Sequence, residues 1–322
     1  MHVKNLHLLP QLEYLDLTEN SIQDIEESRD TTVSGLRTLC LAENEISVFD
    51  LNAFSALERL NLDGNNLTQI QGLSVAEHLQ VLSARGQYIP SSLVNDILSA
   101  THDCTELYLS ENALTGPELA LPSRPNFSLR CLELASCGLQ ALPAVFGDRF
   151  PNLRVLNLNY NGLSDLSPLQ GTIKLKSLLI AKNRIRKMRR TCLTLSRLPA
   201  LKKLDVRDNP LTVGFYMSQA EGTDEAKPHQ LPPRDVKQDQ KWLGLLDETT
   251  WLRRRAMELL LADCCGSLQD VDGLMLDRDA LKREKVTWER LMNKGVLKQK
   301  EQGTTVSVRE FANGEQAGLD VR

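Results

Sequence analysis

Leucine spacing constrains this chain more than any other feature. The arrangement Leu-x-x-Leu-x-Leu-x-x-Asn-x-Leu recurs at intervals of 21 to 26 residues, measured between its asparagine positions. Three consecutive copies are Leu12-Leu15-Leu17-Asn20-Ile22, Leu36-Leu39-Leu41-Asn44-Ile46 and Leu57-Leu60-Leu62-Asn65-Leu67. Six more run through Gln87, Asn112, Cys137, Asn161, Asn183 and Asn209, with Gln87 and Cys137 standing where asparagine is the rule. A period of this length means stacking: each Leu-x-Leu is a short strand whose leucines point inward, and only neighbouring copies complete the core. The asparagine amide is placed to satisfy backbone groups where the chain turns out of the strand. Glutamine and cysteine should do this less well, which predicts local irregularity at 87 and 137.

The pattern is the signature of leucine-rich repeats. It predicts an α/β leucine-rich-repeat solenoid: a curved parallel sheet of about nine repeats plus a terminal half-repeat, closed by a helical C-terminal cap. Four segments are expected. Residues 1–214 form the array, and 215–246, rich in charge, Pro and Gln, read as a mobile polar insertion. Residues 247–300 form a cap of two helices around a last half-repeat. In the first, Leu252, Ala256, Leu259 and Leu260 share a face behind the capping residue Asp247; the second runs from Asp277 to Lys300. Leu268, Val271 and Gly273 supply the half-repeat, and 301–322 read as a flexible tail with a short strand at Thr305–Val308.

Composition serves mainly to exclude. No run of eighteen apolar residues exists and no signal segment opens the chain, so neither membrane spanning nor secretion is expected. Seven scattered cysteines, an odd number without the clustering of a stapled extracellular cap, predict a reducing compartment. The five histidines are dispersed and no GxxxxGK[ST] or GxSxG motif occurs, so no catalytic centre, metal, cofactor or small-molecule substrate is expected. Starting within repeat sequence, with no polar capping element, fits a piece of a longer protein.

Binding specificity in such a solenoid is expected on the concave columns between and after the strand leucines. Those columns contain Arg85, Tyr108 and Arg207, and Tyr160 follows them. These residue types are favoured at interface hot spots. Charge adds a second candidate. From Lys174 to Arg207 there are twelve basic side chains against one acid, Asp205, a local net of +11 in a chain of −4, so the remainder carries −15. Lys182, Arg184, Arg186, Lys187, Arg189, Arg190, Lys203 and Arg207 are the expected partner-facing cations, steering an acidic or phosphorylated segment. The alternative is a merely solvated face of two lysine-rich repeats. Nucleic acid ranks below protein, since the cluster lacks interleaved aromatics and the chain's pI is acidic.

The cap residues Arg254-Arg255, Leu259-Leu260-Leu261 and Leu268-Gln269-Asp270-Val271-Asp272-Gly273 resemble the cap shared by phosphatase-regulating and centrosomal repeat proteins. With the irregular repeat lengths and Cys264-Cys265, the chain resembles the C-terminal repeat domains of fungal spindle-pole-body scaffolds of the mitotic-exit and septation-initiation network, relatives of centriolin. That resemblance implies a non-catalytic scaffold in the cytoplasm, at the cytoskeleton and spindle pole body, docking onto a coiled-coil component of the microtubule-organising centre. A phosphatase regulatory subunit is the alternative, with a ribonucleoprotein component behind it. The oligomeric state is left open.

Overall fold

A computed structural model describes residues 2–26, 32–87, 89–114, 119–217, 234–283, 297–299 and 319–321. Among them an eleven-stranded sheet runs through the molecule. Its first nine strands are Tyr14–Asp16, Thr38–Cys40, Arg59–Asn61, Val81–Ser83, Glu106–Tyr108, Cys131–Glu133, Val155–Asn157, Ser177–Leu179 and Lys203–Asp205, one per repeat. All nine pair in parallel with equivalent positions opposed: Leu15 with Leu39, Leu39 with Leu60, and so on to Leu178 with Leu204. The inward leucines on either side of Leu82, Leu107, Leu132, Leu156 and Leu178 form one continuous buried core. Registry is fixed at the leading end of each strand, where one carbonyl accepts from two successive amides of the next repeat. Arg154 O, for example, accepts from Lys176 N at 2.8 Å and Ser177 N at 2.9 Å.

The asparagine column does what its chemistry predicts. The Oδ1 of Asn112 accepts from the amides of Gln87 and Ile89 in the preceding repeat, and its Nδ2 donates to the carbonyls of Ala84, Leu109 and Ser110. Asn44, Asn65, Asn161, Asn183 and Asn209 repeat the arrangement. The residue before each member lies in the left-handed region, from Glu19 (φ 60°) through Tyr160 (φ 56°) and Lys182 (φ 52°) to Asp208 (φ 55°). Side chains rarely adopt that conformation unaided, so the amide clamp behind it holds the turn. Gln87 keeps one acceptor and one donor bond, to Leu67 N and Leu62 O. The Cys137 thiol covers the donor role alone, toward Leu109 O and Ala135 O, and Leu114 N–H turns instead to the Cys137 carbonyl.

Longer repeats leave room for a helix on the convex side. The 25- and 26-residue intervals after Gln87 and Asn183 contain the helices Ser91–Ala100 and Met188–Leu195. The 21- and 22-residue intervals after Asn44 and Asn65 make do with the short strands Val48–Asp50 and Gln69–Gln71, followed by single 3-10 turns. A helix advances about 1.5 Å per residue and a strand about 3.3 Å, so the same return path consumes more residues as helix.

The C-terminal end is closed by the helix Glu248–Cys264, whose N-cap Asp247 accepts from Thr250 N at 3.0 Å. Leu252, Ala256, Met257, Leu260 and Leu261 are its buried face, while Leu259, expected there, is half-buried. Asp270–Val271 adds a tenth parallel rung against Lys203–Asp205, and Leu274–Met275 folds back on it. Three expectations need correction. Within 215–246, Phe215 is buried and a helix spans Val236–Leu243 with Asp239 buried, because the polar residues there find buried ionic partners rather than solvent; 218–233 lie outside the described residues. The second cap helix is described over Arg278–Arg283 with Leu281 buried, and a strand, Leu297–Gln299, stands where its end was placed. That strand pairs antiparallel with Leu319–Val321, so the tail enters a local ladder; the strand expected at Thr305–Val308 lies outside the described residues.

Candidate protein-interaction surface

On the concave face the structure brings Arg85 and Tyr108 together. The guanidinium of Arg85 reaches Glu133 at 2.8 Å and Asp63 at 3.2 Å, lies 4.3 Å from the Tyr108 ring centroid, and hydrogen-bonds Ser83 Oγ. Burial opposes the charge on Arg85, but the hydrogen bond and charge of Glu133, helped by Asp63, outweigh it and raise its pKa. Tyr108 donates to Glu106, and burial, then that hydrogen bond, push its hydroxyl pKa well up. Side chains from the third to sixth repeats are thereby locked into one rigid polar patch. Its aromatic is half-buried rather than exposed, because a cation covers it.

Tyr160 and Lys182 are adjacent members of the left-handed turn column at the trailing end of the strands, and the Lys182 ammonium sits 4.6 Å from the Tyr160 ring centroid. Tyr160 is half-buried and Lys182 exposed. Arg207 departs from its expected role: it is 7% exposed, and its guanidinium is gripped by both carboxylate oxygens of Asp205, two residues earlier on the same face. The one acid of the basic stretch therefore neutralises one cation inside the fold.

The eleven remaining cations are exposed, but they do not form one ridge. Lys174, Lys176, Lys202 and Lys203 lie at the leading ends of the eighth and ninth strands. Lys182, Arg184 and Arg186 follow the eighth strand at its trailing end, and Lys187 caps the convex helix Met188–Leu195, which carries Arg189 and Arg190 in its first turn. Cations at a helix N-terminus oppose the helix dipole. Arg186 also borders a cavity of about 140 Å³ between the array and the cap, floored by Met188, Leu211, Met257 and Leu260 and faced by Arg253.

Sequence reasoning missed a buried ionic cluster behind the cap. Asp239 bridges Arg254, at 2.6 Å, and Arg234. Both guanidinium groups lie over the ring of Tyr216, that of Arg234 3.9 Å and that of Arg254 4.6 Å from its centroid, and the Tyr216 hydroxyl donates to Asp272. Asp272 is the tenth member of the concave column that holds Asp205, and its other oxygen accepts from Val206 N. The signals on offer were the cap elements Arg254-Arg255 and Asp272-Gly273, neither of which points to Tyr216, Arg234 or Asp239 as partners.

Among the described residues no group of three or more His, Cys, Asp or Glu side chains is placed to hold a metal, and no helix is long and apolar enough to cross a membrane. All seven cysteines are free.

Residues 10–67 match the family described as Leucine rich repeat, and residues 128–171 match Leucine Rich repeats (2 copies). The Septation initiation network scaffold protein cdc11 of Schizosaccharomyces pombe is 33% identical over 168 residues, 52% of this chain and 16% of that protein. Podocan-like protein 1 of Mus musculus is 34% identical over 211 residues, 62% of this chain and 36% of its own length. The Protein phosphatase 1 regulatory inhibitor subunit PPP1R7 homolog of Arabidopsis thaliana is 27% identical over 187 residues, 56% and 48%. The chain thus spans less than half the length of these relatives. Among solved structures, an octameric complex of Latrophilin 3, Unc5D and FLRT2 contains a repeat chain that superposes with a TM-score of 0.50 at 18% identity, covering 61% of this chain and 68% of that one. The fold is a leucine-rich-repeat solenoid, and two segments of the chain match leucine-rich-repeat families.

Proposed function

We propose that this domain is the non-catalytic docking module of a cell-cycle scaffold. It attaches a mitotic-exit or septation signalling assembly to a protein of the spindle pole body or equivalent microtubule-organising centre, in the cytoplasm and on the cytoskeleton. The observation that carries the reading is the 33% identity over 168 residues with the septation initiation network scaffold. The surface supports it: charge is segregated onto repeats eight and nine, where eleven exposed cations stand in a stretch whose single acid, Asp205, is held by Arg207. Such a field orients an acidic, phosphorylated or coiled-coil segment before contact. The rigid patch around Arg85 and Tyr108 offers a second contact on the concave face, preorganised so that little side-chain freedom is lost on binding.

The test is location. A fluorescently tagged chain expressed in fungal cells is expected to concentrate at spindle poles marked by a tubulin-nucleating component. Changing Arg184, Arg186, Arg189 and Arg190 together to Glu should disperse it without unfolding it. A diffuse wild-type chain overturns the reading. Regulation of a phosphoprotein phosphatase is the second reading, favoured by the 27% identity to the phosphatase 1 regulatory subunit. Co-purification of phosphatase activity with the tagged chain would select it.

A further inference from the structure

The leading edge of the sheet carries a pattern that the linear sequence hides. Each residue just before a strand is stacked on its counterpart in the next repeat, because its carbonyl accepts from that counterpart's amide. Followed along the solenoid, the column reads Glu13, Arg37, Glu58, Gln80, Thr105, Arg130, Arg154, Lys176, Lys202. Its two ends behave differently. In the first three repeats the signs alternate, and Arg37 pairs with Glu58 across neighbouring rungs. In the last four every member is a cation, all are exposed, and none has an ion-pair partner among the described residues. Lys174 and Lys203 flank the row and add to the charge.

We infer that this row is a docking surface for an α-helix bearing an acidic stripe. Neighbouring strands lie about 4.8 Å apart, so the four cations span about 14 Å in a straight line across the strands. On an α-helix, carboxylates at i, i+3, i+7 and i+10 share one face and span about 15 Å. An extended peptide shows same-side residues about 6.7 Å apart, so its four carboxylates span about 20 Å and fall out of step by a full rung. Duplex phosphates wind around their axis every 10 to 10.5 base pairs and leave a straight row quickly. The helix alone matches the row rung for rung. The inference rests on the reading of the chain as a protein-binding domain, not on where in the cell it assembles.

The test uses the full chain and labelled 22-residue helical peptides in fluorescence anisotropy. One peptide carries Glu at i, i+3, i+7, i+10 and i+14; its isomer has the same composition with Glu spread around the helix; a DNA duplex of equal charge is the third probe. The striped helix is expected to bind at least tenfold tighter than its isomer and tighter than the duplex. Changing Arg130, Arg154, Lys176 and Lys202 together to Glu should abolish that preference, whereas the Arg184/Arg186/Arg189/Arg190 variant should keep it. The all-Gln version of the first variant, which adds no new charge, guards against misfolding and should weaken binding at least tenfold. Equal affinity for the two peptides, tighter duplex binding, or full binding by a folded Gln variant overturns the inference. So does self-association of the wild type in sedimentation that the Gln variant loses, since a second copy is then the occupant. A wild-type chain that binds the striped helix yet stays diffuse in cells would sink the scaffold reading and leave this one standing.

Discussion

The hydroxyl of Tyr216 donates a hydrogen bond to Asp272, 56 residues further along the chain, and so ties the residue just after the tenth rung to the segment that leaves the ninth repeat. Asp272 is fully buried, and its pKa is raised to about 7, first by burial and then by the neighbouring charge of Asp205. A carboxyl that holds its proton to higher pH in the folded state than its ordinary 3.8 adds stability below about pH 4, and that stability is lost as pH rises through about 7. The melting temperature of the wild type relative to Asp272→Asn should therefore be more favourable at pH 5 than at pH 8, read by parallel thermal melts. A difference independent of pH would show that Asp272 does not titrate in this window. Tyr216→Phe should lower stability at both pH values by roughly 1–3 kcal/mol, since it orphans a buried acceptor.

Arg254 is the centre of the same cluster. It is 2% exposed, and it donates to both oxygens of Asp239, to Glu258 and to the carbonyl of Phe215. Arg254→Ala removes these buried hydrogen bonds and leaves Asp239 with Arg234 in place of two cations, so it should cost on the order of 3–5 kcal/mol in denaturant titration. The double variant with Asp239→Asn should lose less than the two single losses added together, since the two changes break one shared pair. A strictly additive double variant would show that the two side chains are not coupled.

Much of the fold was legible because it is periodic. The inward leucines and the asparagine column announce strand and turn by type and spacing, and Asp247 marks the start of the cap helix. The Tyr216–Arg234–Asp239–Arg254–Asp272 cluster has no period: its members meet only because the cap folds back, and each alone reads as a surface residue. The basic surface was half legible. Twelve cations crowd one stretch of sequence, but the chain passes from one edge of the sheet to the other within a single repeat. Neighbours in sequence such as Lys176 and Lys182 therefore sit at opposite ends of a strand, while Arg130 and Lys202, 72 residues apart, share a row.

The asparagine column gives a paired stability prediction. Asn112→Ala removes a fully buried amide that serves two amides and three carbonyls, and should cost several kcal/mol, about 1–3 for each buried group left unpaired. Cys137→Asn restores the clamp where the thiol gives only weak donor bonds, and should gain roughly 0.5–2 kcal/mol. Chemical denaturation of both variants checks the pair. A destabilised Cys137→Asn would mean the sixth repeat has repacked around sulfur and no longer has room for the amide.

The cationic row makes a prediction about stability that is independent of any partner. Its N-terminal counterpart alternates in sign and pairs Arg37 with Glu58, which is what a column does when only the fold is at stake. Like charges on adjacent rungs repel, by roughly 0.2–1 kcal/mol per neighbouring pair. Lys176→Glu places an acid between Arg154 and Lys202, turning two repulsions into two attractions, and the folded domain should become more stable by several tenths of a kcal/mol up to about 1. Raising the salt concentration should shrink that gain, because exposed charges a few ångströms apart are screened as ionic strength rises. Glu58→Lys at the other end should do the reverse, destabilising the domain by a similar amount and less so at high salt. Equilibrium unfolding at low and high salt measures all four quantities. A Lys176→Glu variant no more stable than wild type at low salt would mean the four side chains splay apart and do not act as a row, and the contrast between the two ends of the column would lose its energetic basis.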